Sequence, residues 1–155
     1  MGNGTVSQWK LILYFLLQWT WGIPQNIIGG VLFLACIKKK HSRFMGAAVT
    51  TWHFPYSAGC GMFIFINDFN HIPSTAPFKE KRRHDLLVHE YGHTIQSLLL
   101  GPFYLPIIAL PSILWAVLPF FQKLRKEKQL SYYNFYCERW ANHLGDTFCK
   151  NFRLQ

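Results

Sequence analysis

Hydrophobic and polar positions divide the chain into two long apolar stretches separated by patterned, more polar segments. The first apolar stretch runs from Trp9 to Ile37. As one helix it would be roughly 43 Å long, more than the roughly 30 Å of a bilayer core. Gly22-Ile23-Pro24-Gln25-Asn26 interrupts it, and Pro24 lacks the donor that a continuous helix needs. Two halves of about 20 Å are expected instead, each too short to span.

The pattern changes after residue 44. Ala47 to Phe54 and Met62 to Asn67 are rich in Val, Thr, Phe and Ile, with the turn-like Pro55 to Gly61 between them. This predicts a β-hairpin over 44–68. Asn, Asp and two prolines over 68–78 predict a loop. A helix is expected over 79–100, ended by Gly101-Pro102.

The second apolar stretch, 103–121, holds Pro106, Pro111 and Pro119, which argues against one straight helix. Gln122 to Leu130 is a charged segment that reads as a connector, and a final helix is expected over 131–149. The whole predicts one α+β, mostly helical domain over 1–155, with a small hairpin beside the helix over 79–100.

Composition adds a membrane leaning. Half of the residues are hydrophobic and 15% are charged, against roughly 25% charged in an ordinary soluble domain. The net charge is +9. Most of the basic residues fall in three runs: Lys38-Lys39-Lys40 with Arg43, Lys79 to Arg83, and Lys123 to Lys128. Each run borders an apolar stretch, so lipid headgroups are the expected partner rather than nucleic acid, and no nucleic-acid motif is present. The four cysteines make no CxxC pair and suggest no disulfide framework, which leaves a reducing, cytosol-facing location as the default.

Candidate chemistry lies in His89-Glu90-Tyr91-Gly92-His93. Histidines four apart share one helix face, so both imidazoles can reach one Zn²⁺. Glu90 follows the first histidine directly, where its carboxylate can act as general base without being a ligand. Uncharged residues flank the motif: Leu86, Leu87 and Val88 before it, Thr94 and Ile95 after it. Gly92 weakens a helix interior by about 1 kcal/mol relative to Ala. Its presence suggests a close neighbour, either the hairpin or a substrate chain.

His-Glu-Tyr-Gly-His with Glu138 downstream resembles the zincin metallopeptidases, in their gluzincin branch. The stretch also resembles small uncharacterised bacterial membrane proteins over His89 to Ser97, Gly101-Pro102-Phe103-Tyr104, Pro111-Ser112 and an aromatic-rich Glu-x-Trp-Ala segment. The resemblance is best over 84–145. It implies a zinc peptidase with His89, His93 and Glu138 as ligands and Glu90 as base. One turn beyond Glu138 the gluzincin pattern has Asp, which accepts a hydrogen bond from a ligand imidazole. This chain has Asn142 there, a neutral acceptor.

Other ligand candidates remain open in the sequence: Asp85, one turn before His89, and His53 and His143. Tyr132, Tyr133, Tyr136 and His143 are candidate donors to an oxyanion. Ligation by Glu138 also constrains the topology. A full crossing by residues 98–121 would carry Glu138 to the far side of a bilayer, so a re-entrant excursion broken at Pro106 and Pro111 is expected. All three basic runs then face one side, which the positive-inside tendency makes the cytoplasm. The expected protein is a membrane-associated zinc peptidase with a cytoplasmic-facing site and a peptide or protein substrate. A non-catalytic metal-binding or membrane scaffold and an interfacial lipid hydrolase are the rival readings.

Overall fold

The computed structural model describes residues 8–69 and 76–150. The loop expected over 68–78 therefore lies largely outside the described residues. The first apolar stretch is two helices, α1 (Gln8–Thr20) and α2 (Ile23–Ala35), broken where Gly22 and Pro24 predict. Pro24 sits in the first turn of α2, where its missing N–H costs no helical bond.

A single hairpin over 44–68 is not what forms. Four strands make a mixed sheet: β1 (His41–Phe44), β2 (Ala47–Trp52), β3 (Ala58–Cys60) and β4 (Phe63–Asn67), in the order β1-β2-β4-β3. The two segments expected to face each other antiparallel, β2 and β4, are parallel, from Ala48 opposite Phe63 to Trp52 opposite Asn67. Each has its own antiparallel partner instead. Met45 and Gly46 both have positive φ and close the β1–β2 turn, as a two-residue hairpin loop requires. The presumed turn 55–61 contains β3, so the chain crosses over before returning, and β2 and β4 run the same way.

The central strand β4 is buried along its whole length. Ile64 and Ile66 pack with Val88, Tyr91 and Ile95 of α3 (Ala76–Leu100). Phe63 and Phe65 point the other way, to Tyr14 of α1 and Phe33 of α2. The alternation of a strand thus serves two cores at once.

After α3, Gly101 takes a φ of +53°, which an L side chain rarely adopts. The chain turns there through a 3₁₀ turn (Gly101–Phe103), and the helical run Leu105–Val117 leaves the α3 direction by 120°. Pro106 and Pro111 were expected to break this stretch but do not. Pro106 opens a π-helical segment (Leu105–Ala109), and Pro111 sits in the first turn of α4 (Leu110–Val117). The second break comes at Leu118, which is extended, with Pro119 starting α5 (Pro119–Glu127). That helix replaces most of the connector expected over Gln122 to Leu130. The last helix, α6, covers Tyr136–Cys149, later than the expected start at 131. Ser131 instead caps a 3₁₀ turn (Tyr132–Asn134).

No single helix among the described residues is long and apolar enough to cross a membrane.

Candidate metal centre

The site is built where α3 meets α6. The two helices come unusually close because Gly92 and Gly145 carry no side chains. A Cβ at Gly92 would collide with the backbone carbonyl of Ala141, and one at Gly145 with that of Val88. The close neighbour that Gly92 accommodates is therefore α6, neither the hairpin nor a substrate chain. Glu138 precedes Ala141 by about one turn, so this contact delivers its carboxylate to the histidine face of α3.

Three ligand-type atoms converge there. Glu138 Oε2 lies 3.1 Å from His89 Nε2 and 3.5 Å from His93 Nε2. All three residues are buried, and their atoms fall within 4.8 Å of one another. This His-His-Glu group could hold a metal ion.

The far side of each imidazole is tied down. His89 Nδ1 is 2.7 Å from Asn142 Oδ1, and His93 Nδ1 is 2.7 Å from Gln96 Oε1. Amide oxygens only accept, so each Nδ1 must donate. Gln96 cannot present its nitrogen instead, because Nε2 donates to the Cys137 carbonyl at 2.9 Å. In a neutral imidazole with its proton on Nδ1, Nε2 carries a lone pair. Two lone pairs and a carboxylate oxygen then face one another, an arrangement suited to a cation.

Glu138 is fixed from its other oxygen, which accepts a hydrogen bond from the Ser112 hydroxyl of α4. Tyr132 OH lies 3.3 Å from the same hydroxyl. Burial alone would raise the Glu138 carboxyl, but Ser112 and the facing imidazoles, when one carries a proton toward it, outweigh burial and hold it below the ordinary range.

Glu90 has the opposite balance. Burial pushes its carboxyl up from 4.5 to about 7, with Glu138 adding repulsion and His89 opposing both. The Gly59 amide hydrogen-bonds the carboxylate, while Oε2 is buried with no hydrogen-bond partner. Tyr104 OH donates to the Gly59 carbonyl at 2.8 Å. Both outward groups of this β3 residue are thus engaged within the protein.

The structure brings together His89, Glu90, His93, Glu138 and Asn142. It leaves the rival ligands apart. Asp85 and His143 are exposed, and His53 is exposed and pairs with Asp68 at 2.6 Å. Gln96, Ser112, Tyr104 and Gly59 have no role assigned from the sequence, although Gln96, Tyr104 and Ser112 stand in the segments that carry the resemblance. Gln96 carried a signal, since it stands three residues after His93 on the same helix. The contact of Ser112 with Glu138 carried none, because only the fold brings α4 to Glu138. Among the oxyanion candidates, Tyr136 OH donates to the Ile107 carbonyl and Tyr132 pairs with Ser112. Tyr133 stands edge-on to His89, with ring centroids 5.1 Å apart.

No protein-family model, curated protein or solved structure matches this chain. The functional reading therefore rests on the site itself.

Proposed function

We propose that this protein is a zinc-dependent hydrolase, and by its chemistry a peptidase. The observation that carries the reading is the pairing of a convergent His-His-Glu group with a second buried carboxylate, Glu90, whose Oε2 has no partner. A cation-binding group alone would suffice for storage or structure. A buried acid with one oxygen unpaired next to it destabilises the fold, and catalysis is what such an acid can serve.

Zinc fits the donor set. Two imidazoles and one carboxylate are three protein ligands, the number a catalytic zinc takes, where a structural zinc takes four. Bonds of 2.0–2.1 Å in a tetrahedron separate ligand atoms by roughly 3.3 Å, and the two observed separations are 3.1 and 3.5 Å. Zinc held there would polarise a carbonyl and lower the pKa of water.

The chain's own groups supply the remaining steps. Glu90, poised near neutrality, can accept the proton of an attacking water and hand it to the leaving amine. The Gly59 amide holds one end of that carboxylate, and Tyr104 holds Gly59. Tyr133, which partial desolvation and the nearby Glu90 and Glu138 carboxylates keep protonated beyond the ordinary tyrosine range, is the proposed donor to the developing oxyanion. Asn142 and Gln96 keep the two imidazoles in the tautomer that leaves Nε2 toward the metal.

Metal analysis of the purified chain, beside Glu138→Ala and Glu90→Gln, tests the proposal together with a peptide-library assay. One zinc per chain is expected, lost or loosened in Glu138→Ala. Glu90→Gln should keep the zinc and lose about 10²–10⁴-fold in hydrolysis. A wild-type chain without zinc overturns the reading. Zinc with no hydrolysis of any peptide, unchanged by Glu90→Gln, would favour the metal-binding scaffold instead.

A further inference from the structure

The two amino-terminal helices are inside out. Gln18, Gln25 and Asn26 are 0% exposed, while Val31 is 62% and Leu34 67% exposed. On α1 the outward positions include Ile12, Leu13 and Leu16; on α2, Ile27 joins Val31 and Leu34. Most of the buried polar groups are occupied, although Gln25 Oε1 and Tyr14 OH have no hydrogen-bond partner. Gln25 Nε2 donates to Ser97 Oγ at 2.8 Å and to the Gly101 carbonyl at 3.1 Å. Asn26 donates to the Gly22 carbonyl at 3.0 Å and accepts from the Met62 amide at 2.7 Å. Even the exposed Thr20 hydroxyl turns back to the Leu16 carbonyl at 2.7 Å. Side chains that seek partners inside, around an apolar exterior, are the arrangement that a non-aqueous surrounding selects.

The apolar exterior continues past these helices. Contacts step together along α1 and α3: Tyr14 stacks on Tyr91, Gln18 reaches the Thr94 carbonyl, and Trp21 lies against Gly101. The two helices therefore run the same way and end at one tip. Leu99 and Phe103, on either side of Gly101, are exposed around that tip. Basic residues gather at the other end. Arg83 donates to Thr51 Oγ1 at 3.3 Å, and the Thr51 amide donates to the Lys40 carbonyl at 2.9 Å, which joins the runs 38–40 and 79–83.

We propose that this chain sits in one leaflet of an anionic bilayer, with the Trp21–Gly101 tip in the hydrocarbon and the metal centre at headgroup level. Resting on the peptidase reading, this makes its substrate a polypeptide segment lying at, or emerging from, the bilayer surface. Helices α1 and α2 have 13 residues each, about 20 Å, short of the roughly 30 Å core. Along α3, Gly101 is about 12 Å beyond His93 and about 18 Å beyond His89. A tip near the midplane, roughly 15 Å deep, leaves the two histidines at the hydrocarbon boundary. The basic end then lies among the headgroups. A second copy of the chain is a poorer occupant of the apolar face, because each copy carries a net charge of +9, whereas an anionic surface complements it.

The test uses the full chain and phosphatidylcholine vesicles with and without phosphatidylglycerol. Flotation with both is expected, tighter with the anionic lipid, and lost in Leu16→Glu/Val31→Glu, whose exposed positions leave the fold intact by circular dichroism. An impermeant thiol reagent should label Lys39→Cys and Lys126→Cys from the same side of the vesicle and leave Phe103→Cys at the background of the parent chain. Labelling of the two lysine positions from opposite sides overturns one-leaflet insertion. So does a lipid-free oligomer that stays in the aqueous phase and protects Phe103→Cys. For the substrate, one peptide is offered lipid-anchored and free to the zinc-loaded, vesicle-bound chain. Cleavage at least tenfold faster for the anchored form is expected, and equal rates overturn the substrate class. Cleavage of neither removes the peptidase reading and the substrate class together, while insertion stands or falls on labelling alone.

Discussion

Gln96 joins His93 to the backbone of α6: its Oε1 lies 2.7 Å from His93 Nδ1, and its Nε2 donates to the carbonyl of Cys137, the residue before Glu138. One side chain thus orients a ligand on α3 and fixes the start of the helix that brings the third. Replacing Gln96 with Leu should weaken metal binding by about 10–100-fold and remove the second hydrogen bond to the Cys137 carbonyl, at a cost of about 0.5–1.5 kcal/mol. Gln96→Glu keeps the acceptor for His93 and loses the donor to Cys137. Chelator competition and thermal melting, measured on both variants, separate the two effects.

Asn142 offers His89 a neutral acceptor. Asn142→Asp should bind metal more tightly, because a carboxylate makes the imidazole more basic, and Asn142→Leu should lose about 10–100-fold. Equal affinity in all three proteins would show that the 2.7 Å contact with His89 does not orient the ring.

Glu90 predicts an inverted pH dependence for the metal-free protein. Its carboxyl rises from an ordinary 4.5 to about 7 in the fold. Between these values the folded chain holds a proton that the unfolded chain has released, so stability falls as pH rises. The loss across that window is roughly 3 kcal/mol. Glu138 is shifted the other way and stays ionised throughout it. Urea unfolding of chelator-treated protein at about pH 5 and pH 8 measures the slope, and Glu90→Gln should flatten it.

Two glycines should respond in opposite senses to the same substitution. Gly92→Ala drives a methyl group into the Ala141 backbone. It should destabilise by about 3 kcal/mol or more, the upper part of the overpacking range, and release the metal by separating α6 from α3. Gly30→Ala meets only the Phe63 ring, at 3.8 Å, and should stabilise α2 by about 0.5–1 kcal/mol. Melting temperatures and metal content of the two variants check the contrast.

The metal group was legible because its information is local or chemically rare. His89, Glu90 and His93 lie within two turns of one helix, and Glu138 stands out as an acid among aromatics. Bends at Gly22 and Gly101 were legible for a similar reason, since glycine and proline act on their own backbone. The parallel pairing of β2 with β4 was not. Parallel and antiparallel partners use the same alternating residues, and the three-residue β3 that decides the matter lies in a segment resembling a turn. Pro106 and Pro111 misled because a proline breaks a helix only where its amide was needed. Here both fall at the opening of a helical segment, and the break comes at Leu118, which the following Pro119 keeps extended.

Some 45 residues separate His93 from Glu138 in the chain, and the whole α3–α4 corner lies between them. An ion bound by both closes that length into a loop, so it binds the folded chain far more tightly than the unfolded one. Metal affinity would then be a gauge of this protein's architecture: any change that loosens the corner, however far from the histidines, would register as a weaker grip on the ion.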